Sequence, residues 1–177
     1  VKNDLCSKIR VADKMIPALA SFSAEHKELF EKIEFKQVNL SRANTIAKVF
    51  DDEAPFDYVV NLAGETKYSQ NEAVYKENII DVLVTSAKEA ANRGVKRYIE
   101  VSTAQVYESS SKASKENAKL KPWTGIAKAK LAAEAELAKI SNLDYVISRP
   151  AIVYGNGDQT GIMPRIIAAA IYKHSEE

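Results

Sequence analysis

The amino-acid sequence predicts an α/β protein built on a doubly wound, mostly parallel sheet, and three observations carry that expectation. Short apolar runs alternate with stretches of helical periodicity along the chain, an order that implies parallel strands joined by right-handed crossovers. Residues 58–62 (YVVNL) are almost continuously apolar, as expected of a strand covered on both faces. Residues 71–92 carry apolar side chains at helical spacing and lie between two such runs.

Taken in order, residues 8–12 (KIRVA) alternate polar and apolar and end at Asp13, and residues 33–38 (IEFKQV) alternate again. Between them, residues 23–31 form a polar helical stretch with Leu29 and Phe30 near its end, read as a surface insertion. Residues 44–50 place Ile46, Val49 and Phe50 at helical spacing. In the long helix over 71–92, Val74, Ile79, Val82, Leu83, Ser86 and Ala90 form one stripe, and Gly94 ends it. Two further strands are expected over 97–102 (RYIEVS) and 145–148 (YVIS). Residues 123–140 are rich in the strong helix formers Ala, Leu, Lys and Glu. Residues 160–174 carry Ile162, Ile166, Ile167 and Ile171 in another amphipathic pattern. The polar stretch 109–119 (SSSKASKENAK) reads as a solvated loop or, standing after a strand end, as a lid over a ligand crevice.

With 177 residues, the chain suits one domain with a continuous core. Twenty-five Lys and Arg against twenty-four Asp and Glu leave a formal charge of +1, which gives no bulk attraction for nucleic acid. The single cysteine, Cys6, admits no internal disulfide and points to the cytoplasm or another reducing compartment. No apolar run reaches the ~18 residues of a membrane span, so no membrane partner is expected. The N-terminus has no signal-peptide pattern and no initiator methionine, so the chain reads as a fragment or a processed product. His26 and His174 stand in unrelated polar settings, no Cys/His or His/Asp/Glu cluster has metal-ligand spacing, and no metal site is expected.

Asn61-Leu62-Ala63-Gly64, Asn78, the run 94–107, Lys130-Leu131-Ala132-Ala133-Glu134 and the run 149–155, in that order, resemble segments of the extended short-chain dehydrogenase/reductase family, and within it the NAD-dependent epimerase/dehydratase-like members. Asn61-Leu62-Ala63-Gly64 resembles the segment that passes under the cofactor, with Asn78 in the next helix. The run from Gly94 to Thr103 (GVKRYIEVST), continued by Ala104-Gln105-Val106-Tyr107, is similar to the fifth strand and its hydroxyl-bearing turn. Lys130-Leu131-Ala132-Ala133-Glu134 resembles the catalytic-helix segment. Arg149-Pro150-Ala151-Ile152-Val153-Tyr154-Gly155 resembles the turn leading to the sugar-nucleotide pocket.

The resemblance implies a Rossmann-like sheet and a nicotinamide dinucleotide cofactor. It assigns Asp13, Ala63, Gly64, Asn78 and Lys130 to cofactor binding, Thr103 and Lys130 to catalysis, and Tyr154 and Asn156 to substrate. A carboxylate at Asp13 would accept hydrogen bonds from ribose hydroxyls and repel a 2′-phosphate, favouring NAD over NADP, although Lys14 beside it weakens that preference. The alternative is a plain strand-end carboxylate. Residues 1–150 would form the nucleotide-binding domain, and 151–177 would begin a small substrate-binding region. A homodimer through the helices over 71–92 and 123–140 is the assembly that relatives suggest.

Two departures stand out. The first glycine is Gly64, so no Gly-rich turn precedes Asp13, and the chain is expected to lack the family's first strand and phosphate cradle, with Val1–Cys6 the tail of the first helix. The family's tyrosine stands four residues before its lysine, and counting back from Lys130 gives Ile126, which cannot move a proton. Choosing Lys128 instead puts Thr124 in that position. Lys130 keeps a role at the cofactor ribose, or is a surface lysine like Lys128 and Lys139. Trp123, beside Pro122, either stacks on a ligand ring or packs at the helix entrance.

Three functions follow. The first is an NAD(P)-binding protein without standard Tyr/Lys catalysis, acting in binding or sensing. The second is an active epimerase, dehydratase or reductase on a nucleotide sugar or similar small molecule, using another acid. The third is a structural interaction module without a ligand.

Overall fold

The computed structural model describes residues 5–20, 22–52, 54–111, 114–155, 157–158 and 161–175. Strand β1 (Arg10–Asp13) pairs in parallel with β2 (Glu34–Gln37) in the register Arg10 to Glu34 through Asp13 to Gln37. A second parallel sheet has the order β3 (Tyr58–Asn61), β4 (Arg97–Val101), β5 (Tyr145–Ser148). Helix α1 (Ala24–Phe30) connects β1 to β2, and Ser23 caps it by accepting from the His26 amide. Between β2 and β3 lie α2 (Ala43–Ile46) and a 3₁₀ turn over Ala47–Val49.

A cavity of about 370 Å³ separates the two sheets, lined by β1 on one side and residues 58–63 on the other. A doubly wound sheet of order 3-2-1-4-5-6 has its first strand in this place, and the five strands take the other five positions. Leu5 and Cys6 are not helical, contrary to the expected helix tail, and Leu5 has nothing to pack on, being 86% exposed. The rest of that expectation, residues 1–4, lies outside the described residues. Strand β3 also corrects the sequence reading. Tyr58 and Val60 are more than half exposed, because no described element covers that face of the strand.

The long helix is continuous but irregular. It runs as α3 (Glu72–Tyr75), a π-helical segment Lys76–Asp81, and α4 (Val82–Asn92). Asn71 caps it by accepting from the Val74 amide at 2.9 Å. At the far end Gly94 takes φ +69°, which a side chain would resist, and the Val95 amide returns to Ala90 O at 3.0 Å. Helix α5 (Gly125–Leu137) is capped by Thr124, whose Oγ1 accepts from the Ala127 amide at 3.0 Å. Gly125 is required where α5 meets α3, since a Cβ there would lie 2.5 Å from the Tyr75 ring.

Ile79, Leu83, Ala87, Tyr98, Ala133 and Leu137 form the main core, all with at most 1% exposure. Buried alanines (Ala87, Ala90 and Ala91 of α4, Ala129 and Ala133 of α5) belong to the same core. Helix α6 (Ile162–Ser175) has no buried residue, and its isoleucines 166, 167 and 171 are exposed, so the expected amphipathic face has no described element to cover it. Among the described residues no helix is long and apolar enough to cross a membrane.

Candidate functional site

The carboxyl ends of β1 and β3 and the π-helical segment converge on one cavity of about 350 Å³. Asp13, Ala63, Gly64 and Asn78, drawn from three separate stretches of chain, all line it. Asp13 stands at the end of β1, exposed, with Oδ1 accepting from the Met15 amide at 2.7 Å, which leaves its second oxygen for a ligand. Lys14 turns toward Asn78, its Nζ 3.3 Å from Oδ1, and the Asn78 amide donates to Glu65 at 3.3 Å. Asn78 owes its place to the π turn, a feature that recurs at functional sites. Lys130 lies behind Gly64 and does not itself line the cavity. Its Nζ lies 3.6 Å from where a Gly64 Cβ would stand.

The surface reading of Lys130 fails, for its side chain is 10% exposed, whereas Lys128 is exposed. Lys130 Nζ donates to Glu100 Oε1 at 2.9 Å and to Val101 O at 2.7 Å. The Asn61 amide donates to the other Glu100 oxygen at 2.6 Å. Burial raises the pKa of the Glu100 carboxyl, opposed by the Lys130 charge and hydrogen bond. Ile126, in the tyrosine position for this lysine, packs against the main core.

Glu100 belongs to a run of buried polar groups on one face of β4. Tyr98, Glu100 and Ser102 alternate inward, as a strand's period of two requires. Tyr98 Oη and Ser86 Oγ of α4 are 2.6 Å apart, and burial pushes the Tyr98 phenol far above its ordinary range. Ser102 donates to Glu134 of α5, which also holds Arg149 through both carboxylate oxygens. Arg149 donates onward to the Tyr107 hydroxyl at 2.9 Å, and the Glu134 carboxylate raises its affinity for its proton.

A second group of polar side chains gathers where β4 ends and α5 begins. Thr103 Oγ1 accepts from the Gln105 amide at 3.2 Å. Thr124 donates to Gln105 Oε1 at 2.9 Å, and Gln105 Nε2 donates to Tyr68 Oη at 2.9 Å. Gln105 also lines an open cleft of about 1060 Å³, together with Trp123, Arg149 and part of the loop after β4. Trp123 is 63% exposed here rather than packed at the helix entrance. Tyr154 is exposed and does not line the cleft, and Asn156 lies outside the described residues.

The sequence reading missed Glu100, Glu134, Gln105 and Tyr68. A charged residue inside the apolar run RYIEVS was the visible signal for Glu100. Nothing in the sequence pattern marked Tyr68, whose place depends on the fold of the loop after β3.

The backbone resembles solved enzymes closely. DesIV, a dTDP-glucose 4,6-dehydratase from Streptomyces venezuelae with NAD and DAU bound, matches with TM-score 0.77 and 20% identity over 94% of this chain and 53% of that one. WbmG from Bordetella bronchiseptica, in complex with NAD, matches with TM-score 0.74 and 24% identity over 92% and 52%. A UDP-N-acetylglucosamine 4-epimerase from Methanobrevibacter ruminantium, in complex with UDP-N-acetylmuramic acid, matches with TM-score 0.74 and 24% identity over 94% and 56%. The chain thus spans about half the length of these structures, and at such identities the likeness establishes the fold. No curated protein matches the chain. The model of the NAD dependent epimerase/dehydratase family matches residues 4–177, nearly the whole sequence, and the chain belongs to that family.

Proposed function

We propose that the protein binds NAD in the cavity at the ends of β1 and β3 and works without the family's tyrosine–lysine proton relay. The observation that carries this is the convergence of Asp13, Ala63, Gly64 and Asn78 on one cavity, with Lys130 beneath Gly64. The residues fit the group. Asp13 would offer a carboxylate oxygen to the adenosine ribose, the small Ala63 and Gly64 would allow close approach, Asn78 would add an amide in the same cavity, and Lys130 would act from behind Gly64. A bound nicotinamide would supply a hydride acceptor or donor. Lys130, fixed by Glu100 and Val101 O, acts as a buried positive anchor, and Ile126 supplies only packing. On this reading residues 151–177 begin a substrate-binding region in which Tyr154 and Asn156 take part.

Titration of NADH fluorescence with the full natural polypeptide, with NADPH in parallel, tests the cofactor. Saturable binding that favours NADH, and that weakens in Asp13→Ala, is the expected result. A folded protein that binds neither nucleotide would leave only the scaffold reading.

A second reading, an active enzyme on a nucleotide sugar, is favoured by one observation. A phenol does stand beside Gln105 and Thr124, although it comes from a different part of the chain than the family's tyrosine.

A further inference from the structure

We infer that Tyr68 is the proton donor of this site, replacing from the loop after β3 the tyrosine whose position on α5 is taken by Ile126. The inference rests on the second, enzymatic reading above.

The chain of hydrogen bonds starts at the cap of α5. Thr124 Oγ1 accepts from the Ala127 backbone amide and donates to Gln105 Oε1 at 2.9 Å. That orients the Gln105 amide, leaving Nε2 to donate to Tyr68 Oη at 2.9 Å. The phenol oxygen is therefore an acceptor toward the protein and keeps its own proton for a ligand. Thr103 Oγ1 accepts from the Gln105 backbone amide. Tyr68 and Thr103 both follow the carboxyl ends of β3 and β4, where open α/β sheets bind ligands.

The loop holding Tyr68 is built rather than incidental. The Tyr75 hydroxyl donates to Lys67 O at 3.1 Å and accepts from the Gln70 amide at 3.1 Å, bracketing Tyr68 on both sides. Tyr75 is itself buried at 6% exposure, and its ring lies against Gly125 of α5. Ser69 takes φ +62°, the left-handed region that a non-glycine residue enters only when its surroundings impose it. The start of α5 thus positions the phenol twice, through Thr124 and Gln105 and through Gly125 and Tyr75. Tyr68 remains 53% exposed, open to substrate and to proton exchange with water.

In the reductive direction, Tyr68 Oη gives its proton to the oxygen of a substrate carbonyl while the carbonyl carbon receives hydride from a reduced nicotinamide. The C=O π bond, the phenol O–H bond and the donor C–H bond of the reduced nicotinamide would break, new C–H and O–H bonds would form, and the phenolate would be held by Gln105 Nε2 until water returned a proton. Oxidation of a sugar carbinol is the reverse. Gln105 is a positioning residue.

The test uses the full natural polypeptide with two readouts. Nitration of tyrosines by tetranitromethane, mapped by peptide mass spectrometry, should be lost at Tyr68 when NAD and UDP-glucose are added. Hydride transfer to NAD is then followed in single turnover with UDP-glucose, dTDP-glucose and UDP-N-acetylglucosamine in turn. Tyr68→Phe should slow it by about 10²- to 10⁴-fold with NADH affinity unchanged, and Gln105→Ala should lower kcat with little change in KM. Unaltered nitration of Tyr68 in a protein that binds NAD, or wild-type hydride transfer by Tyr68→Phe, overturns the assignment. A wild-type protein that binds NAD but transfers no hydride from any of the three sugars overturns it as well, and leaves the binding reading standing. Failure to bind NAD removes both.

Discussion

The two sheets are held in the molecule by different physics. Strand β4, the centre of the three-stranded sheet, lies against Leu83, Ala87 and Leu137 with Tyr98 fully buried, so apolar burial fixes it. Neither β1 nor β2 contains a buried residue, and this pair is tied down mainly by one arginine. The Arg10 side chain is 4% exposed, and its guanidinium stands 4.9 Å over the Phe56 ring. It donates to Glu34, Asp52, Val49 O and Asp51 O at 2.7 to 3.1 Å. The half that carries Thr103, Gln105 and Lys130 is thus stable by packing, and the half that carries Asp13 by a polar staple at the border of the central cavity. Elements with few buried apolar contacts open at low free-energy cost, which makes the Asp13 side of the candidate site the adaptable one.

The largest effect should come from breaking the buried pair inside the stable half. Lys130→Met leaves Glu100 without its cation, which costs about 3–5 kcal/mol when the carboxylate stays charged. Burial already raises the Glu100 pKa, and the substitution raises it further. A folded-state pKa above the unfolded value means that stability is present below about pH 4.3 and is lost as pH rises toward the folded value. Urea midpoints of the variant should therefore fall from about pH 4 upward, more steeply than those of the wild type. A variant whose midpoint ignored pH would mean that Glu100 finds water, and that this half is not the dry core described here.

Next in size is Gly125→Ala. Replacing glycine within a helix gains at most about 1 kcal/mol, but the new Cβ would stand 2.5 Å from the Tyr75 ring, and overpacking costs about 1–3 kcal/mol. The steric cost should win. Chemical denaturation should show net destabilisation, with the amides of residues 67–70 exchanging faster because Tyr75 positions that loop. A more stable protein would show that α3 and α5 have room to part.

The smallest effect on the whole should be the most local. Arg10→Met should lower the protection of the β2 amides by about tenfold or more, in keeping with ~1–3 kcal/mol for lost charged hydrogen bonds, and leave β4 unchanged. Hydrogen exchange read by mass spectrometry distinguishes the halves directly. Equal loss in both would merge them into one cooperative unit and end the contrast.

Much of this was legible in the residues. The five strands stand within two residues of where alternation and apolar runs placed them, and β5 spans Tyr145–Ser148 as expected. The spacing from Ile126 to Lys130 was readable too, because on a helix four residues return to the same face. The exposure of Tyr58 and Val60 was not, since an apolar run reports what a strand prefers and not what lies beside it. Nor was the Glu100–Lys130 pair, whose partners are thirty residues apart; only the crossover from β4 to α5 brings them together.

The sequence by itself determined the alternation of strand and helix and the isoleucine four residues before Lys130 on α5, because these depend on local period and residue identity. Tertiary structure alone decided that Lys130 is buried rather than solvated, that a π turn carries Asn78 to the cavity, and that Tyr68 meets Gln105 from another loop. Such contacts join distant parts of the chain, and their geometry is set by how helices pack on a sheet, which no single stretch of sequence records.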